Sequence, residues 1–77
     1  MKILIVDDDE SLSSIITTAL EREGFNTLYA KTGRDAINKA RSDAPDLILL
    51  DQVLPDISGN QVLKELKLDE QTKNIPV

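Results

Sequence analysis

Two groups of aspartates in this chain each follow directly on an unbroken apolar run. Asp7 and Asp8 come after the first run, residues 3–6. Asp51 comes after the second run, residues 47–50. Runs of this kind, with no polar alternation, are typical of strands buried on both faces of a parallel sheet. Because open α/β folds bind ligands at the carboxyl ends of such strands, we expect these carboxylates to share one site.

Carboxylates gathered in this way need a partner that offsets their mutual repulsion. Two unit charges about 4 Å apart repel by about 4 kcal/mol at an effective dielectric near 20. A bound divalent cation, or a proton held by one carboxylate, relieves that repulsion. The chain has no histidine and no cysteine, and oxygen ligands select Mg²⁺, Mn²⁺ or Ca²⁺ over zinc. A site with few carboxylates and several waters suits Mg²⁺ best.

The elements that would hold these residues alternate between strand and helix. Apolar residues recur at helical spacing between Glu10 and Glu23, and Gly24 then supplies the left-handed residue that ends a helix. At the start of this helix, Asp9 and Glu10 are more simply explained as capping acids than as site residues. The first helix is therefore expected to follow the first acidic group directly.

A second strand and a second helix come next. Residues 25–30 form a short strand-like run, and Thr32 with Asp35 makes the capping-box pattern that opens a helix. Pro45 ends the connection that leads back to the third strand, residues 47–50. The second acidic group therefore stands at the end of another strand.

The last third of the chain repeats the pattern. Ser58 and Gln61 have capping-box spacing and predict a third helix that runs to about Leu68. Residues 75–77 are expected to begin a fourth strand. Strand and helix alternating in this way predict right-handed βαβ units, which build an α/β fold with a parallel sheet and helices on both faces.

Length and composition narrow the class of protein. The 77 residues allow one small domain. Nine basic against fourteen acidic residues give a net charge of −5, which argues against a nucleic-acid surface. The absence of cysteine excludes a disulfide framework, and the first apolar run is too short for a signal peptide or a membrane span. We expect a cytoplasmic protein that contacts neither nucleic acid nor membrane.

Five stretches together match the pattern of a known family. They are residues 3–11, 23–25, 46–51, 54–59 and 74–77. On these motifs the chain resembles the receiver domain of bacterial two-component response regulators. The resemblance implies a flavodoxin-like receiver fold in which residues 1–77 supply only the N-terminal part, a (βα)₃ portion with strand order 2-1-3.

The same resemblance implies a function for the aspartates. Asp51 would accept a phosphoryl group from a sensor histidine kinase, while Asp7 and Asp8, together with Asp51 and the backbone carbonyl of Val53, would hold Mg²⁺. Such a domain is a phosphoacceptor and not an ordinary enzyme, since it catalyses only its own phosphorylation and dephosphorylation. An output domain or a downstream protein would respond to the change. A carboxylate nucleophile needs no base at neutral pH, which suits a chain without histidine.

Two further residues of the loop after Asp51 are expected to have structural roles near the site. Pro55 fixes its own φ and stiffens the loop, and Gly59 permits a close approach at the start of the third helix. The family completes its site with a Ser or Thr after the fourth strand and a Lys after the fifth. This sequence ends before both, so we expect the metal half of the site without the phosphate clamp, and impaired phosphotransfer.

Two alternative functions follow from the sequence. The first is a receiver-like protein-interaction module that performs no phosphotransfer. The second comes from a local resemblance, because residues 7–12 also fit the motif of haloacid dehalogenase-like phosphatases, which would make Asp7 the nucleophile and give Asp51 no role. Trapping the phosphorylated residue with a chemical probe distinguishes Asp7 from Asp51.

A final expectation concerns association. Without a fourth strand beside it, the third strand at residues 47–50 would be an apolar edge, and such edges pair with other chains. We hypothesise a homodimer formed through this edge or through exchange of residues 75–77.

Overall fold

The computed structural model describes all 77 residues and contains three strands and three helices. In chain order they are β1 (Lys2–Val6), α1 (Glu10–Arg22), β2 (Asn26–Ala30), α2 (Gly33–Asp43), β3 (Leu47–Leu50) and α3 (Gly59–Leu68). β1 lies in the middle of a parallel sheet with the order β2-β1-β3. This confirms the α/β fold and the strand order 2-1-3.

The register of the sheet brings the ends of two strands to the same level. Val6 is opposite Leu50 in the β1–β3 pair and opposite Ala30 in the β1–β2 pair. The ladder continues one step further, because the Asp51 N–H donates to the Val6 carbonyl at 3.0 Å. Asp7 and Asp51 therefore leave the sheet side by side.

Helices cover both faces of the sheet. The main core lies on one face, where α2 and α3 pack against each other and α2 packs on β1 and β2. Its buried members are Leu4, Val6, Ala30, Ala36, Ile37, Ala40, Ile48, Val62 and Leu66. Since side chains alternate along a strand, Ile5 points to the other face, where it lines a groove together with Ile16 of α1.

The helix ends are formed as the sequence predicted. At the end of α1, Gly24 has a φ of +89°, its N–H donates to the Glu21 carbonyl, and the Phe25 N–H donates to the Leu20 carbonyl. This is the Schellman motif, which satisfies carbonyls that the helix leaves without partners. α2 and α3 begin at their predicted caps. The acceptors are the hydroxyls of Thr32 and Ser58, and the donors are the N–H groups of Asp35 and Gln61, each 3.1 Å away.

Two features differ from the sequence-based expectations. Residues 75–77 form no strand, although the Ile48 N–H donates to the Pro76 carbonyl at 2.9 Å. Pro76 has no N–H of its own, so one bond to β3 does not extend into a ladder. Ala44, which caps the end of α2, has a left-handed φ of 45° that no sequence signal indicated. No helix combines the length and the apolar character needed to cross a membrane.

Candidate functional site

Three carboxylates meet at the carboxyl edge of the sheet. One oxygen from each of Asp7, Asp8 and Asp51 lies within 4.8 Å of the other two. Asp7 and Asp51 are half-buried, and Asp8 is exposed. Mg²⁺ holds oxygen ligands at about 2.1 Å in an octahedron, so neighbouring ligand oxygens are about 3 Å apart and opposite ones about 4 Å. The three acids fit a small oxygen-binding cation after a modest closure.

Asp7 is held rigidly by its neighbours. Its N–H donates to the Ala30 carbonyl at 3.1 Å, and its carbonyl accepts the Tyr29 hydroxyl at 2.8 Å. Its carboxylate oxygen Oδ1 accepts the Asp9 N–H at 2.9 Å. The other carboxylate oxygen, Oδ2, accepts no hydrogen bond from the protein, so it is available to bind a ligand.

The two acids after the pair have the roles that helix capping predicts. Asp9 is the N-cap of α1, and its Oδ1 accepts the Leu12 N–H at 3.1 Å. Glu10 lies in the first turn of α1, where a negative charge favours the helix dipole. Its carboxylate is 3.7 Å from the Lys31 ammonium in an exposed ion pair. The simpler interpretation of Asp9 and Glu10 is therefore confirmed.

The loop of residues 51–58 carries the second half of the site. Val53, whose carbonyl is the expected fourth ligand, is 75 % exposed, and its N–H is 3.5 Å from the Asp51 carboxylate. Pro55 is exposed and has a trans peptide bond. Neither residue makes a strong hydrogen bond within the loop, so contacts elsewhere must fix this part of the chain.

Gly59 lies directly against the backbone of Asp51. A Cβ atom at this position would be 2.3 Å from the Asp51 carbonyl oxygen and 2.8 Å from the Gln52 Cα. The Gly59 N–H donates to the Gln52 carbonyl at 3.0 Å. Backbone atoms cannot rotate out of the way, so only glycine allows α3 to begin this close to Asp51.

One residue near the site was missed by reasoning from the sequence. The two carboxylate oxygens of Asp56 accept the N–H groups of Gly33 at 2.8 Å and Arg34 at 2.9 Å. These bonds, with Arg34 the larger cause and Gly33 next, lower the pKa of Asp56 from its ordinary 3.8 to about 2. The donors are 23 and 22 residues away in the sequence, so no local spacing pattern could reveal them.

The surroundings of the site carboxylates are acidic and apolar. None of the ion pairs in the structure involves them, and those pairs are Lys31–Glu10, Arg34–Glu65, Lys39–Asp35, Arg41–Asp69 and Lys73–Glu70. On the α1 side, Ile16, Leu49 and Leu50 line a groove together with Asp7 and Asp51. Apolar walls lower the local dielectric, which strengthens both the repulsion among the acids and their attraction for a cation.

Known proteins share this sequence and this fold. The family model described as the response regulator receiver domain matches residues 3–77. The polar-differentiation response regulator DivK of Brucella ovis is 40% identical over 75 residues, which cover 97% of this chain and 61% of DivK. The chain spans between 28% and 61% of the lengths of curated relatives such as this one.

Solved structures agree with this assignment. The N-terminal domain of a response regulator receiver protein from Methanoculleus marisnigri JR1 superimposes with a TM-score of 0.95 at 34% identity, covering 99% of this chain and 62% of that one. The receiver domain of the sensor histidine kinase PA1611 from Pseudomonas aeruginosa PAO1, solved with a magnesium ion coordinated in its active-site cleft, gives a TM-score of 0.92 at 27% identity. It covers 97% of this chain and 62% of that one.

These matches extend over nearly the whole chain, whereas the likeness to haloacid dehalogenase-like phosphatases is confined to residues 7–12. The alternative that makes Asp7 a phosphatase nucleophile is therefore set aside. The chain belongs to the response regulator receiver domain family of two-component signalling.

Proposed function

We propose that Asp51 accepts a phosphoryl group from a sensor histidine kinase while Asp7, Asp8, Asp51 and the Val53 carbonyl hold Mg²⁺. The observation that carries this proposal is the gathering of three carboxylates within 4.8 Å at one sheet edge. The magnesium ion in the receiver domain of PA1611 supports the choice of metal.

The chain's own residues account for most of the chemistry. A carboxylate oxygen of Asp51 would attack phosphorus without a general base. The bond from phosphorus to the donor atom breaks as the new bond to Asp51 forms, and the donor keeps that electron pair. Mg²⁺, when bound, neutralises charge on the transferring group. Asp7 and Asp8 would bind the ion, which is supported by the pairing of Val6 with Leu50 in the β1–β3 register, one residue before Asp7 and Asp51.

Labelling with a small acyl phosphate tests the proposal directly. We expect the wild-type chain with Mg²⁺ to gain the mass of one phosphoryl group, measured by intact-protein mass spectrometry, and Asp51→Asn to gain none. Asp7→Asn should slow labelling by weakening Mg²⁺ binding without moving its position. Reductive trapping followed by peptide mapping locates the acyl phosphate. A label on Asp7, or an equal label on Asp51→Asn, would refute the assignment.

A second candidate function is an interaction module without phosphotransfer. It is favoured by one observation, the absence of any lysine or arginine paired with the three site carboxylates. Among residues 1–77, no lysine or arginine that forms an ion pair is placed to pair with a phosphoryl group on Asp51. A wild-type chain that binds Mg²⁺ but takes no label, under conditions that label a full-length receiver domain, would favour the module.

The proposal includes the partners and location expected from the sequence. These are a sensor histidine kinase as donor, an output domain or downstream protein as recipient of the signal, and a cytoplasmic setting. Self-association through the β3 edge is a separate prediction. Leu49 on this strand is 38 % exposed, and sedimentation velocity at micromolar concentration tests for a dimer.

A further inference from the structure

The loop that follows Asp51 is fixed to the rest of the molecule at its far end by Asp56. This residue is exposed, and its carboxylate reaches across to the N-terminus of α2, where it accepts the N–H groups of Gly33 and Arg34. A carboxylate that accepts two backbone N–H bonds at 2.8 and 2.9 Å is held in a defined orientation. Asp56 is thus bound to a rigid element.

These two bonds complete the N-terminus of α2. A helix leaves its first four N–H groups without partners in the helix itself. Thr32 satisfies one of them, since its hydroxyl accepts the Asp35 N–H at 3.1 Å. Asp56 satisfies two more, on Gly33 and Arg34. The start of α2 therefore depends on its local cap, Thr32, and on Asp56 from the loop of residues 51–58.

Packing beside these bonds holds the loop against the helix. A Cβ atom on Gly33 would be 2.5 Å from Cγ1 of Ile57 and 2.8 Å from Cγ2 of Val62. Ile57, the residue after Asp56, therefore rests directly on the α2 backbone where no side chain intervenes. The far end of the loop is held in place by the two hydrogen bonds of Asp56 and by the close apolar contact of Ile57.

The near end of the loop is fixed separately. The Gly59 N–H binds the Gln52 carbonyl at 3.0 Å, so the chain on either side of residues 53–55 is anchored. Between the anchors, Val53 has only a 3.5 Å contact from its N–H to the Asp51 carboxylate. The position of the Val53 carbonyl is therefore set by the two ends of the loop.

We propose that Asp56 is a positioning residue for the phosphoacceptor site: its bonds to the N-terminus of α2 hold the loop so that the Val53 carbonyl and the Asp51 carboxylate face the same cation as Asp7 and Asp8. This inference rests on the proposed function. It adds a residue that contacts neither the metal nor the phosphoryl group.

Two variants that act on the same helix end separate this role from general stability. Asp56→Ala removes the two bonds from the loop to α2. The matched control, Thr32→Ala, removes a cap from the same N-terminus but leaves the loop bonds intact. Mg²⁺ affinity is measured for each chain by titration followed through backbone amide chemical shifts. Hydrogen exchange of the Val53 and Leu54 amides is measured in the same proteins without metal.

The expected results differ between the two variants. Asp56→Ala should raise the Mg²⁺ dissociation constant about tenfold, the scale seen when residues supporting metal ligands are removed, and should speed exchange at Val53 and Leu54. Thr32→Ala should change the dissociation constant by less than about twofold, with exchange at those two amides unchanged. Equal effects of both variants, or no effect of Asp56→Ala, would overturn the proposal.

One further variant keeps the test decisive. Asp56→Asn preserves the size of the side chain and one acceptor oxygen, so it should fold even where Asp56→Ala does not, and its Mg²⁺ affinity should fall between those of wild type and Asp56→Ala. Asp56→Asn with wild-type affinity and wild-type exchange would also contradict the inference. A wild-type chain that binds no Mg²⁺ would instead refute the proposed function, while the metal-free exchange rates would still report on the loop bonds.

Discussion

The two loops that carry the site carboxylates are held in different ways. The β1–α1 loop has three residues, 7–9, and the β3–α3 loop has eight, 51–58. In the short loop the side-chain hydrogen bonds join residues two or three positions apart, with Tyr29 the one contributor from elsewhere. In the long loop, Ser58 caps α3 locally, whereas the bonds of Asp56 reach residues 22 and 23 positions away.

Because of this difference, the shapes of the two loops depend on different contacts. The short loop is defined by the end of β1 and the cap of α1, so its shape persists wherever these two elements form. The long loop depends on contacts with α2, which exist only in the assembled structure. Substitutions in the long loop, or in the residues that it contacts, should therefore best separate effects on the proposed metal site from effects on the stability of the fold.

The largest expected effect comes from Gly59→Ala. The added methyl group would meet the Asp51 carbonyl oxygen at 2.3 Å, and neither backbone can move without shifting β3 or α3. We expect a loss of about 3 kcal/mol in the free energy of unfolding, the upper end of typical overpacking costs, together with weaker Mg²⁺ binding. Urea denaturation and the metal titration measure the two effects.

Gly24→Ala is the matched control for this substitution. Gly24 has a φ of +89°, and a Cβ atom there would meet nothing within 4 Å. The substitution should cost only the strain of a left-handed alanine, about 1 kcal/mol, with Mg²⁺ affinity unchanged. If Gly59→Ala lowered the free energy of unfolding no more than Gly24→Ala, the backbone of the long loop would be able to move away from residue 59, contrary to this prediction.

The same contrast explains what could be predicted from the sequence. The apolar runs, the caps at Thr32 and Ser58 and the helix stop at Gly24 are local signals, and they predicted the elements and their order. The gathering of the acids followed from the general rule that parallel strands end at one sheet edge.

Other features depend on contacts between residues far apart in the chain, and these were not predictable. The bonds of Asp56 to α2 are of this kind, as is the close approach of Ile57 to Gly33. The left-handed Ala44 and the missing strand at residues 75–77 likewise follow from the assembled structure. Local patterns therefore located the carboxylates that gather at the sheet edge, but not the contact that joins the long loop to α2.

The pH dependence of stability tests the bonds between the long loop and α2. The pKa of Asp56 is lowered from 3.8 to about 2 by the bonds to Arg34 and Gly33. A carboxylate whose pKa is lower in the folded state stabilises the fold at pH values above its unfolded pKa, and this contribution is lost as pH falls through the folded pKa. The contribution of Asp56 should thus be full above about pH 4 and disappear toward pH 2.

Carboxyl carbon chemical shifts measure this titration directly, and the Gly33 and Arg34 amide shifts should follow the same midpoint. The difference in urea midpoint between wild type and Asp56→Asn should stay constant from neutral pH down to about pH 4, then shrink as the pH approaches 2. A titration of Asp56 near 3.8 would show that the bonds to α2 do not persist in solution.

We expect the smallest effect from Arg34→Ala. This substitution removes the side chain of Arg34 but keeps its backbone N–H. The Arg34 N–H binds Asp56 at 2.9 Å, whereas its guanidinium pairs with Glu65 at 2.9 Å on the surface. Exposed ion pairs contribute little to stability, and alanine favours the helix. The variant keeps the N–H, so the Mg²⁺ affinity and the urea midpoint should both match wild type within error. A loss of Mg²⁺ affinity as large as that of Asp56→Ala would mean that the charge of Arg34, and not its backbone N–H, orients the long loop.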